Sequence, residues 1–205
     1  NISGKKAEVY VDTEVHNSGK RTRTVAVETV LADAGDVPVK RISQQVKLQA
    51  GESKTVRQQF AVRNPKLWSP DSPYLYRIQS RVKAGHEVLD GGVTRVGIRK
   101  AEFKGKDGFW LNGKPFGQLV GANRHQDFAY VGNALPNSQQ WRDAKRLRDA
   151  GCTIIRVAHY PQDPAFMDAC DEMGLFVIVA TPGWQYWNKN PEFAKLVHRN
   201  TREMI

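Results

Sequence analysis

Two side chains that could do chemistry, Arg156 and His159, stand three residues apart at the end of an apolar run. An arginine is a permanent cation that pairs with carboxylates, and a neutral imidazole donates and accepts hydrogen bonds at once. A second polar group, with Asn123 and His125, follows an earlier apolar run. In (β/α) barrels the chemistry is carried by residues that follow the strands. The two groups therefore predict a site at the ends of buried strands.

The elements that must position these residues begin near residue 100, where the sequence pattern changes. Up to that point apolar and polar residues alternate with period two, as in half-buried strands, and turn residues separate the runs. The predicted strands are 7–15, 22–31, 42–48, 53–62, 74–82 and 87–98. Short strands at this spacing are typical of a sandwich. Residues 1–100 therefore predict an immunoglobulin-like antiparallel β-sandwich domain.

Residues 101–205 predict a different architecture, in which strands alternate with helices. A hairpin is predicted around Asn112–Gly113, and Asn137 with Gln140 and Asp163 with Pro164 are expected to begin the first two helices. The predicted strands are 116–122, 153–158 and 175–180, and the helices end at Gly151 and Gly174, with a third helix over 191–205. Apolar strands alternating with helices indicate a parallel sheet. The pattern predicts the first three βα units of a (β/α)8 TIM barrel, truncated because a whole barrel needs about 250 residues.

The amino-acid composition narrows the classes of binding partner and of cellular compartment to be considered. The 31 Lys and Arg exceed the 21 Asp and Glu by ten, but the basic residues are scattered and lack interleaved aromatics. Nucleic-acid binding is therefore not predicted, and an acidic or sulfated polymer is the favoured polyanion. No run is long and apolar enough to span a membrane, and no signal-peptide pattern is present, so the compartment stays unknown. Cys152 and Cys170 lack metal or redox spacing and are expected to pack.

Several ordered motifs carry a resemblance to a known family. They are LWSP at 67–70, YLY at 74–76, RVGIR at 95–99, FWLNGKP at 109–115, GANRHQD at 121–127, RVAHYP at 156–161 and DEMGLFVIV at 171–179. Together the sequence resembles glycoside hydrolase family 2, which contains β-galactosidases, β-glucuronidases and β-mannosidases. The resemblance covers almost the whole chain, and the ordered series is more specific than any single motif.

The resemblance implies retaining hydrolysis by two glutamates, one a general acid/base and the other a nucleophile, with carboxyl groups about 5 to 5.5 Å apart. The family takes them from the ends of the fourth and seventh barrel strands. No glutamate of this sequence has the expected Asn-Glu context at a strand end. Both catalytic glutamates are therefore expected to be absent, and this chain alone is expected to be inactive.

The resemblance also assigns roles to the strand-end residues. Arg156 matches an arginine that orients the nucleophile, and His125, His159 and Asn123 match substrate-binding positions. Alternatives stay open, because His125 could be a loop histidine bonded to the backbone and Asn123 could be scaffolding. No cofactor is predicted. Some family members bind magnesium or sodium, and a site of His125, Asp127 and His159 is the weaker alternative, since these residues lack helix-spaced metal ligands.

Trp184 follows the third predicted strand, where a flat ring could stack on a sugar, although simple packing is the alternative. The sequence departs from the family pattern at two places. Ala180, Thr181 and Pro182 stand where many family members have an acidic pair, and Thr153 stands where an asparagine is usual. The first departure leaves the accepted sugar in doubt.

The sequence predicts part of a retaining glycosidase acting on terminal β-linked sugars, with β-galactosides favoured over β-glucuronides and β-mannosides. The expected partner is a carbohydrate substrate, and assembly into an oligomer stays open. The competing interpretation is a non-catalytic carbohydrate-binding or scaffold protein with a degenerate barrel.

Overall fold

The protein is described by a computed structural model, which covers residues 2–183, 186 and 188–204. The chain divides into two compact units. The first, the sandwich unit, comprises Asn1–Ser69 and Tyr74–Pro115, and the second, the barrel unit, comprises Pro70–Pro73 and Phe116–Ile205. Among the described residues, no helix combines the length and apolar character needed to cross a membrane.

Six long strands build the sandwich unit, and all of their pairings are antiparallel, as predicted. They are β1 (Lys6–His16), β2 (Arg23–Ala32), β3 (Pro38–Leu48), β4 (Ser53–Arg63), β5 (Tyr76–Ala84) and β6 (Glu87–Val96). One sheet pairs β1 with β4, and the other has the order β3-β2-β5-β6. Buried side chains from both sheets meet in shared clusters, for example Phe60 with Leu31 and Val56 with Val27. The two sheets therefore enclose one apolar layer.

Three short strands complete the sandwich unit: β7 (Ala101–Phe103), β8 (Phe109–Leu111) and β9 (Lys114–Pro115). Asn112 and Gly113 join β8 to β9 with φ angles of 53° and 80°. A two-residue hairpin turn of this hand needs positive φ at both positions, which Asn and Gly tolerate best. The hairpin prediction is confirmed.

In the described part of the barrel unit there are three parallel strands and three helices. In chain order they are β10 (Gly121–Arg124), α1 (Asn137–Asp149), β11 (Ile154–Val157), α2 (Pro164–Met173), β12 (Phe176–Val179) and α3 (Pro191–Glu203). The strands pair in the order β10-β11-β12, and both pairings are parallel. On β11, Ile155 and Val157 are fully buried with Phe166 of α2 in one core cluster, whereas Arg156 between them points to the opposite face.

The helix predictions have mixed outcomes. Asp163 caps α2, because its carboxylate accepts a hydrogen bond from the backbone N–H of Ala165 at 2.8 Å, and Gly174 ends this helix in the left-handed conformation, both as predicted. The predicted cap of α1 is wrong. Asn137 is the first helical residue, the N-cap is Pro136 and it makes no side-chain cap. Gln140, expected to complete that cap, accepts instead from the buried Arg124 guanidinium.

The predicted first strand, 116–122, is also misplaced. The observed strand is β10 at Gly121–Arg124, so the apolar run mostly precedes it. The Phe116 ring packs edge-on against Phe176, with ring centroids 5.4 Å apart. Thr153 holds the segment before β10, since its hydroxyl accepts from the Val120 N–H at 3.0 Å. Phe116 therefore packs on the side chain of a strand residue rather than pairing within the sheet.

Candidate functional site

Asn123 and Arg156 lie side by side on neighbouring parallel strands. They are register partners on β10 and β11, so their side chains leave the sheet on the same face. Nη1 of Arg156 is 3.5 Å from Oδ1 of Asn123, at the outer limit of a hydrogen bond. Among the described residues, no carboxylate lies within ion-pair distance of Arg156, although its guanidinium is partly exposed. The pair presents amide and cationic donors to the space beyond the strands.

His159 follows β11 and contacts the same arginine. Nη1 of Arg156 lies 3.3 Å from Nδ1 of His159. Because a guanidinium has no acceptor, Nδ1 must accept, which places the ring proton on Nε2. Partial burial lowers the pKa of His159, and the charges of Arg156 and His125 lower it further. Both the bond and the lowered pKa favour a neutral ring that carries its proton on Nε2.

His125 completes the cluster from the neighbouring strand end. Its ring packs edge-on against the His159 ring, with centroids 5.0 Å apart and an interplanar angle of 75°. Four of the five predicted site residues therefore lie together at the carboxyl ends of β10 and β11. We refer to Asn123, His125, Arg156 and His159 as the strand-end cluster. The fifth, Trp184, lies outside the described residues.

A buried polar network supports the strand-end cluster from the other side of the sheet. Arg124 is only 6% exposed and points toward the helices, where it donates to Gln162 at 2.6 Å, Gln140 at 2.7 Å and Asp143 at 2.8 Å. Its guanidinium also stacks over the Phe166 ring at 4.0 Å. Alternation along β10 explains the split, because successive side chains point to opposite faces.

Gln162 connects the exits of the two strands. Its amide nitrogen donates to the backbone oxygen of Arg124 at 2.7 Å and to that of Ala158 at 3.4 Å, while its oxygen accepts from Arg124. These backbone groups immediately precede His125 and His159 in the sequence. A second link joins the same loops, since the Asp163 N–H donates to Gln126 Oε1 at 3.0 Å. Gln162 thereby holds the two histidine-bearing segments at a fixed separation.

Sequence reasoning missed the role of Gln162 and did not assign Arg124 to the network. Period-two alternation through Asn123 and Arg124 would have separated an outward from an inward residue, but the strand was expected to end at residue 122. Gln162 carries no comparable sequence signal, because a single glutamine in a loop is usually solvated.

The metal alternative finds no support in the described part of the chain. There, no group of three or more His, Cys, Asp or Glu side chains is arranged to hold a metal ion. The His125 and His159 rings contact each other edge to face, and the Nδ1 atom of His159 is occupied by Arg156.

Parallel strands that alternate with helices and carry polar side chains at their carboxyl ends are the arrangement expected of a (β/α) barrel domain. Family comparisons agree. Residues 1–99 match the family model described as Glycosyl hydrolases family 2, and residues 102–203 match that of its TIM barrel domain. The chain belongs to glycosyl hydrolases family 2.

Individual relatives differ in their named activity. A β-galactosidase of Thermoanaerobacter pseudethanolicus is 41% identical over 74% of this chain and 20% of its own length. The crystal structure of Bacteroides uniformis β-glucuronidase superimposes with a TM-score of 0.91 and 29% identity, over 100% of this chain and 25% of that one. A family 2 member from Bacteroides cellulosilyticus gives 0.86 and 33%, over 98% and 27%. The chain thus spans about a fifth to a quarter of the length of these relatives.

Proposed function

We propose that this chain provides the sugar-facing part of a retaining glycosidase that hydrolyses terminal β-linked sugars. The observation that carries the proposal is the strand-end cluster, in which Asn123, Arg156 and His159 present hydrogen-bond groups beside His125. A neutral His159 with its proton on Nε2 can donate to a sugar hydroxyl, and the amide of Asn123 can both donate and accept. Sugar hydroxyls require such paired donors and acceptors.

Arg156 has a second role in this proposal. Its guanidinium would hold the nucleophile glutamate ionised and oriented by a charge-assisted hydrogen bond, which is worth about twice a neutral one. The nearby cation would also keep the carboxylate pKa low. The second glutamate would protonate the leaving group and later activate water.

The chain alone is proposed to lack hydrolytic activity. The three glutamates of the barrel unit, Glu172, Glu192 and Glu203, lie in α2 and α3 rather than at a strand end. None is therefore placed beside Arg156, where a nucleophile would be needed. Asp143, the acidic residue paired to the buried network, contacts Arg124 on the opposite face of the sheet.

We favour β-galactosides as substrates. The β-galactosidase of T. pseudethanolicus supports this choice through its 41% identity, while the β-glucuronidase of B. uniformis supports β-glucuronides as the second candidate. β-Mannosides rank third. The sequence at 180–182 departs from the acidic pair expected of the family, so the sugar is the least constrained part of the proposal.

We also propose that the elements from β10 to α3, within the predicted barrel region 101–205, form the first three βα units of an eight-stranded barrel. The parallel order β10-β11-β12 and the alternation with α1, α2 and α3 support this view. The competing proposal is a non-catalytic carbohydrate-binding protein with a degenerate barrel.

A panel of aryl β-glycosides tests the proposal. The protein at the full length of its reading frame is expected to release the aryl group fastest from the β-galactoside, with retained anomeric configuration in the first product. Faster turnover of the β-glucuronide would transfer the specificity to the second candidate. Sugar binding without turnover of any glycoside would favour the non-catalytic protein.

A further inference from the structure

The outer face of the four-stranded sheet in the sandwich unit carries a group of basic residues that the proposed glycosidase site does not use. Arg41 of β3 and Arg81 and Lys83 of β5 surround a single carboxylate, that of Glu28 on β2. Their charged nitrogens lie 3.3, 3.9 and 3.7 Å from the Glu28 carboxylate oxygens, respectively. Three cations thus share one anion, which leaves an excess of two positive charges.

The three basic side chains are more exposed to solvent than the carboxylate that they share, so the excess positive charge lies at the surface. Glu28 exposes only 9% of its side chain, whereas Arg41, Arg81 and Lys83 expose 56%, 43% and 26%. The carboxylate lies at the bottom and the cations stand over it. Ion pairs of exposed side chains are weak, so these cations can take an incoming anion at little cost.

A second rung of the sheet adds to the same face. Arg77 of β5 and Arg95 of β6 are directly opposite each other in the register. Both side chains therefore add basic groups to this face of the sheet. Arg77 also pairs with Asp36 at 3.0 Å. From this rung to Lys83, six residues along β5, the basic strip extends about 20 Å.

A groove opens beside the strip where β6 carries glycine. Gly91 pairs with Arg81, and Val88 and Val93 stand on either side of it. The groove encloses about 440 Å³ and is also lined by Gln79. Arg81 itself lines this groove, so a ligand in the groove lies next to that basic side chain.

The uncharged side chains on this face indicate the chemistry of the ligand. The outward positions beside the cations include Ser43, Gln45 and Gln79. Hydroxyl and amide side chains both donate and accept hydrogen bonds, so they are suited to bind the hydroxyl groups of a ligand. None of the outward positions of β2, β3, β5 and β6, all within residues 2–183, is aromatic. Nucleic-acid bases require such stacking partners, whereas an anionic polysaccharide needs cations and hydroxyl-binding groups.

We propose that this outer face, the basic strip, binds an anionic polysaccharide, with its sulfate or uronate groups on the cations and its hydroxyls on the amide side chains. This inference does not rest on the proposed hydrolytic activity, since the residues belong to the sandwich unit. The strip would hold a charged polymer by electrostatic attraction that salt weakens.

Affinity electrophoresis of the chain in gels containing dextran sulfate, polygalacturonate or neutral dextran tests the proposal. We expect retardation by at least one anionic polymer and none by neutral dextran. The double variant Arg81→Gln and Lys83→Gln should raise the apparent Kd by roughly tenfold and reduce the salt dependence of binding. The matched control, Lys20→Gln and Arg21→Gln, removes the same charge from an exposed loop and should weaken binding less than twofold.

A variant that is expected to strengthen binding tests whether a loss of binding in the double variant results from misfolding. Glu28→Gln removes the shared anion and should tighten binding by a few fold, whereas Glu14→Gln, on the other sheet, should change it little. Equal weakening by the two double variants would overturn the proposal, because net charge alone would then explain binding. Binding to duplex DNA as tight as to the polysaccharides, with the same dependence on Arg81, would replace the polysaccharide by a nucleic acid and also overturn it.

Discussion

Nη1 of Arg156 lies 3.3 Å from Nδ1 of His159, and this contact fixes which histidine nitrogen carries the proton. Since arginine only donates, the ring proton lies on Nε2. A positive neighbour also disfavours a second proton on the ring. Arg156 therefore favours a neutral His159 ring with its proton on Nε2.

This contact predicts the titration of His159. Its pKa should lie below the ordinary value of 6.5, because burial and Arg156 both disfavour the imidazolium. A group with a lowered pKa contributes its stability above the unfolded pKa and loses it as pH falls through the folded one. Long-range ¹H–¹⁵N spectra between pH 8 and pH 4.5 should show the Nε2–H tautomer at the upper end.

The control for this titration is Arg156→Gln, which removes the cation but not the burial. The pKa of His159 should rise only part of the way to 6.5, because burial is the larger cause. A His159 that titrates above 6.5, or a proton found on Nδ1, would contradict the assigned hydrogen bond.

Gln162→Leu is expected to destabilise the chain by about 1 to 3 kcal/mol, because it removes one of the three side-chain acceptors of the buried Arg124 and the amide donor shared by two backbone oxygens. It should also shift the His125 and His159 ring resonances, since Gln162 holds the segments that carry them. Urea unfolding measures the first effect and histidine NMR spectra the second.

Gln140→Met is the matched control, since Gln140 is also buried and accepts from the same arginine but makes no hydrogen bond to the loops that carry the histidines. It should cost stability while leaving the histidine resonances in place. Identical histidine shifts in the two variants would show that Gln162 has no special positioning role.

Gly174→Ala should be much more harmful than Gly151→Ala. Both glycines have positive φ, 74° and 87°, and each follows a helix of the barrel unit. An added methyl at Gly174 would collide with the carbonyl oxygen of Pro70, whereas at Gly151 nothing lies within 4 Å. Thermal or urea unfolding should give about 1 to 2 kcal/mol for Gly151→Ala and about 3 kcal/mol or more for Gly174→Ala. Similar losses of stability in the two variants would mean that the Pro70 backbone moves to accommodate the added methyl group.

Cys170 should resist thiol reagents in the folded chain. Burial raises the pKa of its thiol to about 12, so almost no thiolate is present at pH 8. Ellman's reagent should react with Cys170 only after denaturation, which mass spectrometry of the labelled peptides can establish. Rapid native labelling would show that the core around Ala169 and Leu175 opens readily.

Much of the fold was predictable because the local signals agree with the tertiary structure. Alternation located β1 to β6, and the Asn112–Gly113 turn and the Asp163–Pro164 helix start are short-range signals with a direct physical cause. The start of β10 was not predictable from hydropathy. Residues such as Phe116 are apolar because they pack on a distant ring, and hydropathy alone does not distinguish packing from strand pairing.

The strand-end cluster could be predicted as a set of residues but not as a geometry. Family resemblance selected Asn123, His125, Arg156 and His159, and parallel pairing of β10 with β11 brings them together. The supporting contacts of Gln162 and Arg124 depend on which face each strand residue occupies. That information requires the strand register, because a shift of one residue moves every side chain of the strand to the opposite face of the sheet.

The most direct test of the central claim is the kcat/KM for an aryl β-galactoside, measured on the full-length protein with His159 and with Ala in its place. If His159 donates to the sugar, His159→Ala should lower kcat/KM by about a hundredfold or more, while the exposed α1 variant Lys145→Ala leaves it within about twofold. An unchanged kcat/KM in His159→Ala would contradict the assignment of the strand-end cluster as the sugar-binding site.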